Sequence, residues 1–143
     1  MAKRSDETEA QRLARYAGRE VTDKLGIKEG HAVRVVGRGD ESLLARVEMK
    51  SGKQFVTARS KANVVLYWPK DASEVTQTLS KLKTQIVPDG GVWVISAKKG
   101  GDPYLPDKIL IPLGLAAGLV DNKICSVSDT CTAMRFVIRR RDR

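Results

Sequence analysis

Two short apolar runs on either side of one amphipathic helix pattern constrain the fold of this chain most strongly. Residues 63–68 (NVVLYW) and 92–97 (VWVISA) are rich in β-branched and aromatic side chains. The segment between them carries an apolar stripe at helical spacing, formed by Val75, Leu79, Leu82 and Ile86. Asp71 is placed to cap this helix, with Glu74 three residues later. Because parallel strands are covered on both faces, this pattern predicts two parallel strands joined by a helix.

The rest of the chain extends the same alternation of strands and helices. Further strands are predicted at residues 31–36, 54–58, 120–127 and 132–140, and further helices at residues 6–24, 41–49 and 105–117. We expect residues 88–91 to end the central helix, and Ser128, Asp129 and Thr130 to turn the last two strands into a hairpin. The predicted fold class is α/β: a Rossmann-like three-layer sandwich with a mostly parallel sheet. The predicted strand order is 2-1-3-4-6-5, with the last strand antiparallel.

Length and composition predict one globular domain. A chain of 143 residues with 41% hydrophobic and 30% charged residues fits a single core. We divide it into an N-terminal helical segment (1–29), a Rossmann-like α/β domain (30–138) and a basic C-terminal tail (139–143). Two cysteines do not make a disulfide framework, and no apolar stretch is long enough to span a bilayer. With no apolar leader at the N-terminus, the sequence predicts a cytoplasmic protein without a membrane partner.

The net charge of +9 favours an anionic partner. Part of the excess lies near the C-terminus, where the residues available to contact a nucleic acid are Arg135, Arg139, Arg140 and Arg141. Lys98 and Lys99 form a second basic pair. The whole chain has seven aromatic residues, which are few for a surface on which the bases of a single-stranded nucleic acid could stack. Binding of nucleic acid or of an anionic ligand is therefore one open alternative.

The predicted topology places one candidate ligand crevice. In open parallel sheets, ligands bind beyond the carboxyl ends of the strands, near the point where the strand order reverses. The loops at that edge supply glycines, a helix N-terminus and positive charge. The candidate residues are Gly37, Arg38, Gly39, Asp40, Trp68, Lys70, Asp71, Lys98, Lys99, Ser128 and Asp129.

The chain resembles two groups of proteins. Residues 64–68, 88–94, 117–120 and 134–138 are similar to the C-terminal part of the class I methyltransferase sheet, whose last strand is antiparallel. Residues 24–28, 88–93, 98–99 and 118–125 resemble a family of small bacterial proteins of unknown function with a trimmed methyltransferase-like fold. That family tends to carry Trp where this chain has Cys131, so a site lined by that Trp would be altered here.

The methyltransferase resemblance implies S-adenosylmethionine as a cofactor, but the motif residues depart from the pattern. The pattern has an acidic residue late in the first strand, a Gly-x-Gly-x-Gly turn and a carboxylate after the second strand. The chain has Val35 and Val36 before a turn made of Gly37, Arg38 and Gly39. The predicted second strand ends in Thr, Ala and Arg at residues 57–59. No cofactor is therefore predicted, although S-adenosylmethionine stays open.

We favour a non-catalytic, methyltransferase-like binding or regulatory protein of unknown ligand. The first alternative is a methyltransferase of unusual type, in which Asp40 or Asp71 replaces the missing acids; the second is the nucleic-acid or anion binder. His31 is the only histidine, lies at the edge opposite the crevice, and cannot form a metal cluster alone. Cys125 and Cys131 are expected to face each other across the hairpin as free thiols. We therefore predict neither catalytic nor metal-binding residues.

Overall fold

A computed structural model describes residues 21–143 of the chain. The strands are β1 (Val33–Gly37), β2 (Ala62–Trp68), β3 (Ile86–Ala97), β4 (Val120–Ser126) and β5 (Cys131–Val137). The α-helices are α1 (Glu41–Ser51), α2 (Val75–Lys83) and α3 (Asp107–Ala116). One-turn 3-10 helices lie at Ala72–Glu74 and Arg140–Asp142, and residues 21–24 are also helical. The remainder of the N-terminal helix predicted at residues 6–24 lies outside the described residues.

The fold is α/β and is built on one mixed sheet of five strands in the order β1-β2-β3-β5-β4. β1, β2 and β3 are parallel, with Val35 opposite Leu66 and Leu66 opposite Trp93. β5 is antiparallel to both β3 and β4, so the hairpin inserts its second strand beside β3. This inserted antiparallel strand places the start of β5 beside the end of β3, where Ala97 lies opposite Cys131.

The predicted six-strand order 2-1-3-4-6-5 was wrong, because residues 54–58 do not form a strand. Val56 N–H donates one backbone hydrogen bond to the Val33 carbonyl at 2.8 Å. The chain then turns, since the Thr57 carbonyl and hydroxyl accept from the backbone N–H groups of Ser60 and Arg59. This turn withdraws the segment from β1 before a second ladder bond forms. Removing that segment from the predicted order leaves the order of the other five strands as observed.

The central helix also ends earlier than the stripe suggested. α2 ends at Lys83, where the Thr84 hydroxyl donates to the Lys81 carbonyl, and Ile86 already pairs with Ala62 at the start of β3. Residues 88–91 therefore lie inside a strand instead of ending a helix. Ala62 of β2 pairs with Ile86 of β3, but Val64, two residues later, already pairs with Gly91. The extra residues of β3 form a bulge, and this bulge accommodates Pro88 within the strand.

Buried side chains cover both faces of the sheet. On β2, Val65 and Tyr67 pack with α2 and α3, whereas Val64 and Leu66 pack with α1 and with residues 21–27. This alternation follows from the two-residue period of a strand. Among residues 21–143, no helix combines the length and the apolar character that a membrane span requires.

Candidate functional site

A crevice of about 500 Å³ lies beyond the carboxyl ends of the three parallel strands. Four of the predicted site residues line it: Gly37, Arg38, Trp68 and Lys70. Seven other predicted residues are not among those that line it: Gly39, Asp40, Asp71, Lys98, Lys99, Ser128 and Asp129. The crevice therefore lies at the end of the strands that the topology predicted, but its walls include only part of the predicted set of residues.

Trp68 packs against the glycine turn that follows β1. A Cβ atom at Gly39 would lie 2.9 Å from Cζ3 of the Trp68 indole and 3.0 Å from Cδ1 of Leu44. Gly37 has φ +91°, and a Cβ atom there would lie 2.2 Å from the Trp68 carbonyl oxygen. The two glycines thus allow the turn to approach Trp68 closely. The space against the turn is occupied by this indole ring.

Asp40 and Asp71 are the two acids that the methyltransferase alternative requires as replacements. In the structure, both of them are helix N-caps. Asp40 precedes α1, and its Oδ2 accepts a hydrogen bond from the Leu43 N–H at 3.0 Å. Asp71 accepts from the Ser73 N–H at 2.9 Å and from the Ser73 hydroxyl. These bonds from Ser73 lower the pKa of Asp71. Both carboxylates therefore satisfy helix N-termini, which is the ordinary role of Asp at such positions.

Three polar residues that line the crevice are not among the candidate residues predicted from the sequence: Glu74, Ser96 and Asp102. Glu74 Oε2 accepts a hydrogen bond of 2.9 Å from the Tyr67 hydroxyl, whose pKa is raised chiefly by burial. Ser96 is 3% exposed, and its Oγ has no hydrogen-bond partner among the described residues. A serine near the end of the apolar run 92–97 was the sequence signal that could have identified this position.

The predicted turn residues of the hairpin bond to one another. Ser128 Oγ accepts from the N–H groups of Thr130 and Cys131 at 3.2 and 3.1 Å, as in a local side-chain turn. Lys98 Nζ donates to Ser126 Oγ at 2.7 Å. Lys99 and Asp129 are exposed. These contacts explain the shape of the hairpin turn without a ligand.

The expectation that the two cysteines face each other was wrong. Cys125 lies opposite Ala133, whereas the Cys131 carbonyl accepts from the Val127 N–H at 3.0 Å. The register therefore offsets the two cysteines diagonally on one face, and both are free thiols. Burial raises the pKa of the Cys125 thiol, which disfavours a reactive thiolate.

The basic residues proposed for nucleic-acid contact do not form one surface. Arg135 lies opposite Trp93 on β5, and Arg139, Arg140 and Arg141 follow that strand as exposed residues. Lys98 and Lys99 follow the carboxyl end of β3. Because β5 is antiparallel to β3, this end lies beside the start of β5, whereas the arginines follow the end of β5. Each residue of a strand adds roughly 3.3 Å, so the two groups lie at opposite edges of the sheet. Within residues 21–143, no three His, Cys, Asp or Glu side chains form a candidate metal cluster.

Comparison with solved structures places the chain in the class of methyltransferase-like α/β folds. It is similar to a SAM-dependent methyltransferase from Aquifex aeolicus, with TM-score 0.64 and 16% identity over 94% of this chain and 95% of that one. It is also similar to magnesium protoporphyrin IX methyltransferase from Synechocystis PCC 6803 with bound SAH, with TM-score 0.55 and 12% identity over 92% and 88% of the two chains.

A third similar structure is a larger enzyme, N,N-8-amino-8-demethyl-D-riboflavin dimethyltransferase from Streptomyces davawensis. The TM-score is 0.64 at 9% identity, and the match covers 88% of this chain but 55% of that one, about half its length. These low identities establish the fold alone.

The family profile described as "protein of unknown function (DUF3052)" matches residues 22–140. The chain belongs to this family. No curated protein matches it.

Proposed function

We propose that this chain is a non-catalytic binding module with a methyltransferase-like fold, and that its crevice holds a small ligand without transferring a group to it. The observation that carries the proposal is the indole of Trp68 lying against Gly39. In the methyltransferase pattern, the glycine turn after the first strand is the place where the backbone approaches the cofactor. Here the aromatic ring occupies that approach.

The residues around the turn do not fit an adenosyl cofactor for a second reason. Arg38 stands between the two glycines, and the acids nearest the turn and β2 are the helix caps Asp40 and Asp71. The segment that would carry a carboxylate toward the ribose hydroxyls is no strand, and it ends in Thr, Ala and Arg at residues 57–59. This supports a crevice that has kept the fold's geometry and lost the recognition groups of a nucleoside.

The composition of the crevice supports ligand binding of another kind. Its wall combines apolar residues with the charged side chains Arg38, Lys70, Glu74 and Asp102. The Ser96 hydroxyl is buried without a partner among the described residues, although buried polar groups are normally satisfied. An apolar cavity with a few convergent polar groups is the usual form of a small-molecule site.

Isothermal titration calorimetry with S-adenosylmethionine and S-adenosylhomocysteine tests the non-catalytic part of the proposal. We expect no saturable heat for the full chain at ligand concentrations of about 1 mM, because the turn is covered and the ribose acid is missing. The matched variant W68A separates the covered turn from the missing ribose acid as causes of weak binding. It uncovers the turn but restores no acid, so we expect no saturable binding by W68A either. Saturable binding by the wild-type chain would overturn the proposal.

A fragment screen by protein-observed NMR tests the binding part. We expect small polar fragments to shift the backbone amide signals of Gly37, Lys70 and Ser96, and S96A to weaken the strongest of these hits. Fragments that shift other amides and leave these three unmoved would contradict a ligand site in this crevice.

A further inference from the structure

A second cavity, of about 290 Å³, lies at the amino-terminal edge of the parallel strands, opposite the crevice. Three of the sequence stretches singled out above meet there: residues 24–28, 88–93 and 118–125. The walls carry mainly basic or hydrogen-bonding side chains, namely Lys24, Lys28, His31, Asn63, Lys123 and Arg135. We name this cavity the basic pocket.

The turn that carries two of these lysines is fixed to the sheet. The Trp93 indole N–H donates a buried hydrogen bond of 3.0 Å to the Leu25 carbonyl. Gly26 follows with φ +71°, and the Ile27 N–H donates to the Thr22 carbonyl at 3.0 Å. Leu25 and Ile27 are both buried in the core. The backbone between Lys24 and Lys28 is therefore held in place before any ligand arrives.

Arg135 reaches the pocket across a glycine. It is half-buried on β5, and a Cβ atom at Gly91 would lie 2.4 Å from its Nε. The guanidinium thus lies over the backbone of β3, in space that any larger residue would fill. Within residues 21–143, Arg135 has no carboxylate within 4.0 Å. A half-buried arginine with five N–H donors and no ion-pair partner in the described part of the chain can bind an oxyanion.

The described lining of the basic pocket carries more positive than negative charge. Among the described residues that line it, there are four basic side chains of lysine and arginine and one carboxylate, Asp89. Burial and repulsion from Arg143 lower the pKa of Arg135, and Asp89 opposes this only in part. Burial and Lys28 also lower the pKa of His31, and Asp89 opposes this, so the net shift favours the neutral ring. Because His31 Nδ1 accepts from the Lys28 N–H at 3.2 Å, the neutral ring carries its proton on Nε2 as a donor.

We propose that the basic pocket binds the phosphate group of a small phosphorylated molecule. A phosphate dianion matches the charge of several converging cations, and Arg135 can bind it through two parallel N–H donors. The volume accommodates a phosphate with a small substituent, since a water molecule occupies about 30 Å³. A concave site of this size, supported on strands and on a fixed turn, suits a small phosphate better than the extended backbone of a nucleic acid.

Calorimetry of the full chain with inorganic phosphate and inorganic pyrophosphate tests this site, with acetate as a monoanion control. We expect saturable binding of pyrophosphate, weaker binding of phosphate, none of acetate, and an affinity that falls as salt rises. The sole histidine gives a single imidazole signal in NMR titrations. We expect pyrophosphate to raise the pKa of His31 by about half a unit or more, because the bound anion favours the imidazolium.

Three variants locate the binding. R135Q removes the guanidinium group, whereas G91A keeps the arginine but displaces its side chain. We expect each variant to weaken pyrophosphate binding about tenfold or more. K123Q replaces an exposed lysine on β4, so it tests the pocket even if the other two variants fold poorly. We expect it to weaken pyrophosphate binding several-fold. R139Q, in the exposed tail, is the matched control and should leave affinity within about twofold.

Three results would overturn the proposal. The first is no saturable binding of either phosphate probe. The second is a loss of affinity in R139Q as large as that in R135Q, which would indicate general attraction to a basic surface. The third is duplex DNA that binds more tightly than pyrophosphate and depends equally on Arg135, which would assign the pocket to a nucleic acid. None of these results bears on the crevice, so this inference stands or falls separately from the proposed function.

Discussion

The two ends of the same sheet carry cavities lined by different kinds of side chain. At the carboxyl end, charges of both signs surround an apolar crevice, and the indole of Trp68 lies against the turn after β1. At the amino end, the lysine and arginine side chains among the described lining residues outnumber the carboxylate of Asp89, and the buried indole of Trp93 connects the lysine-bearing turn to β3. The Trp68 ring covers part of the edge at which this fold usually binds ligands, whereas the cavity at the opposite edge is lined by more cations than carboxylates among the described residues.

The two tryptophans summarise this difference. Trp68 is half-buried and packs on a turn, whereas Trp93 is 1% exposed and donates a hydrogen bond across the core. One residue shapes a surface crevice, and the other supports a core contact between segments distant in sequence. Substitution should therefore affect stability unequally at the two ends.

The largest effect is expected for W93A. Removing a buried tryptophan leaves a cavity and an unpaired Leu25 carbonyl, so we expect a loss of about 3–5 kcal/mol in the free energy of unfolding. W68A removes a half-buried ring and should cost about half as much. Urea denaturation followed by far-UV circular dichroism measures both. Equal losses in the two variants would contradict the distinction between a core anchor and a crevice wall.

Two glycines give a comparison of intermediate size. Gly37 and Gly30 both have positive φ, but a Cβ atom at Gly37 meets the rigid Trp68 carbonyl, whereas one at Gly30 meets nothing within 4 Å. We expect G37A to lower the free energy of unfolding by about 2–3 kcal/mol and G30A by about 1–2 kcal/mol, the cost of the left-handed backbone alone. Urea titrations of the two variants, run side by side, give the difference. Identical losses would show that the turn is free to move away from Trp68.

Most of the fold followed from local patterns in the sequence. The apolar runs became β2 and the core part of β3, and Leu43 and Val47 face the core from the helix expected after β1. The failures have local causes as well. Residues 54–58 have strand-like composition, but the turn that begins at Thr57 leaves them one ladder bond. Ile86 continues the helical stripe, yet it pairs with Ala62 because the helix has already ended.

The site was less predictable, because it depends on contacts between distant residues. Topology alone predicted a crevice at the carboxyl ends of the strands, and Gly37 and Lys70 from the predicted set line the cavity that lies there. It could not show that the Trp68 ring turns toward Gly39, since that depends on side-chain packing. The basic pocket joins Lys28 to Arg135, which no spacing in the sequence connects. Only the register of the inserted strand β5 brings them to one cavity.

The smallest expected change in the free energy of unfolding is that of S96A, and it should be an increase instead of a decrease. Ser96 Oγ is buried in the crevice wall without a partner among the described residues, so its desolvation is uncompensated in the free protein. We expect S96A to raise the free energy of unfolding by up to about 1 kcal/mol. T76V is the matched control, because the Thr76 hydroxyl donates to the Leu113 carbonyl at 3.0 Å; it should lower the free energy of unfolding by about 1 kcal/mol. Differential scanning calorimetry resolves the two signs. A destabilised S96A would mean that the hydroxyl is already satisfied, and it would remove the orphan group that favours a ligand in the crevice.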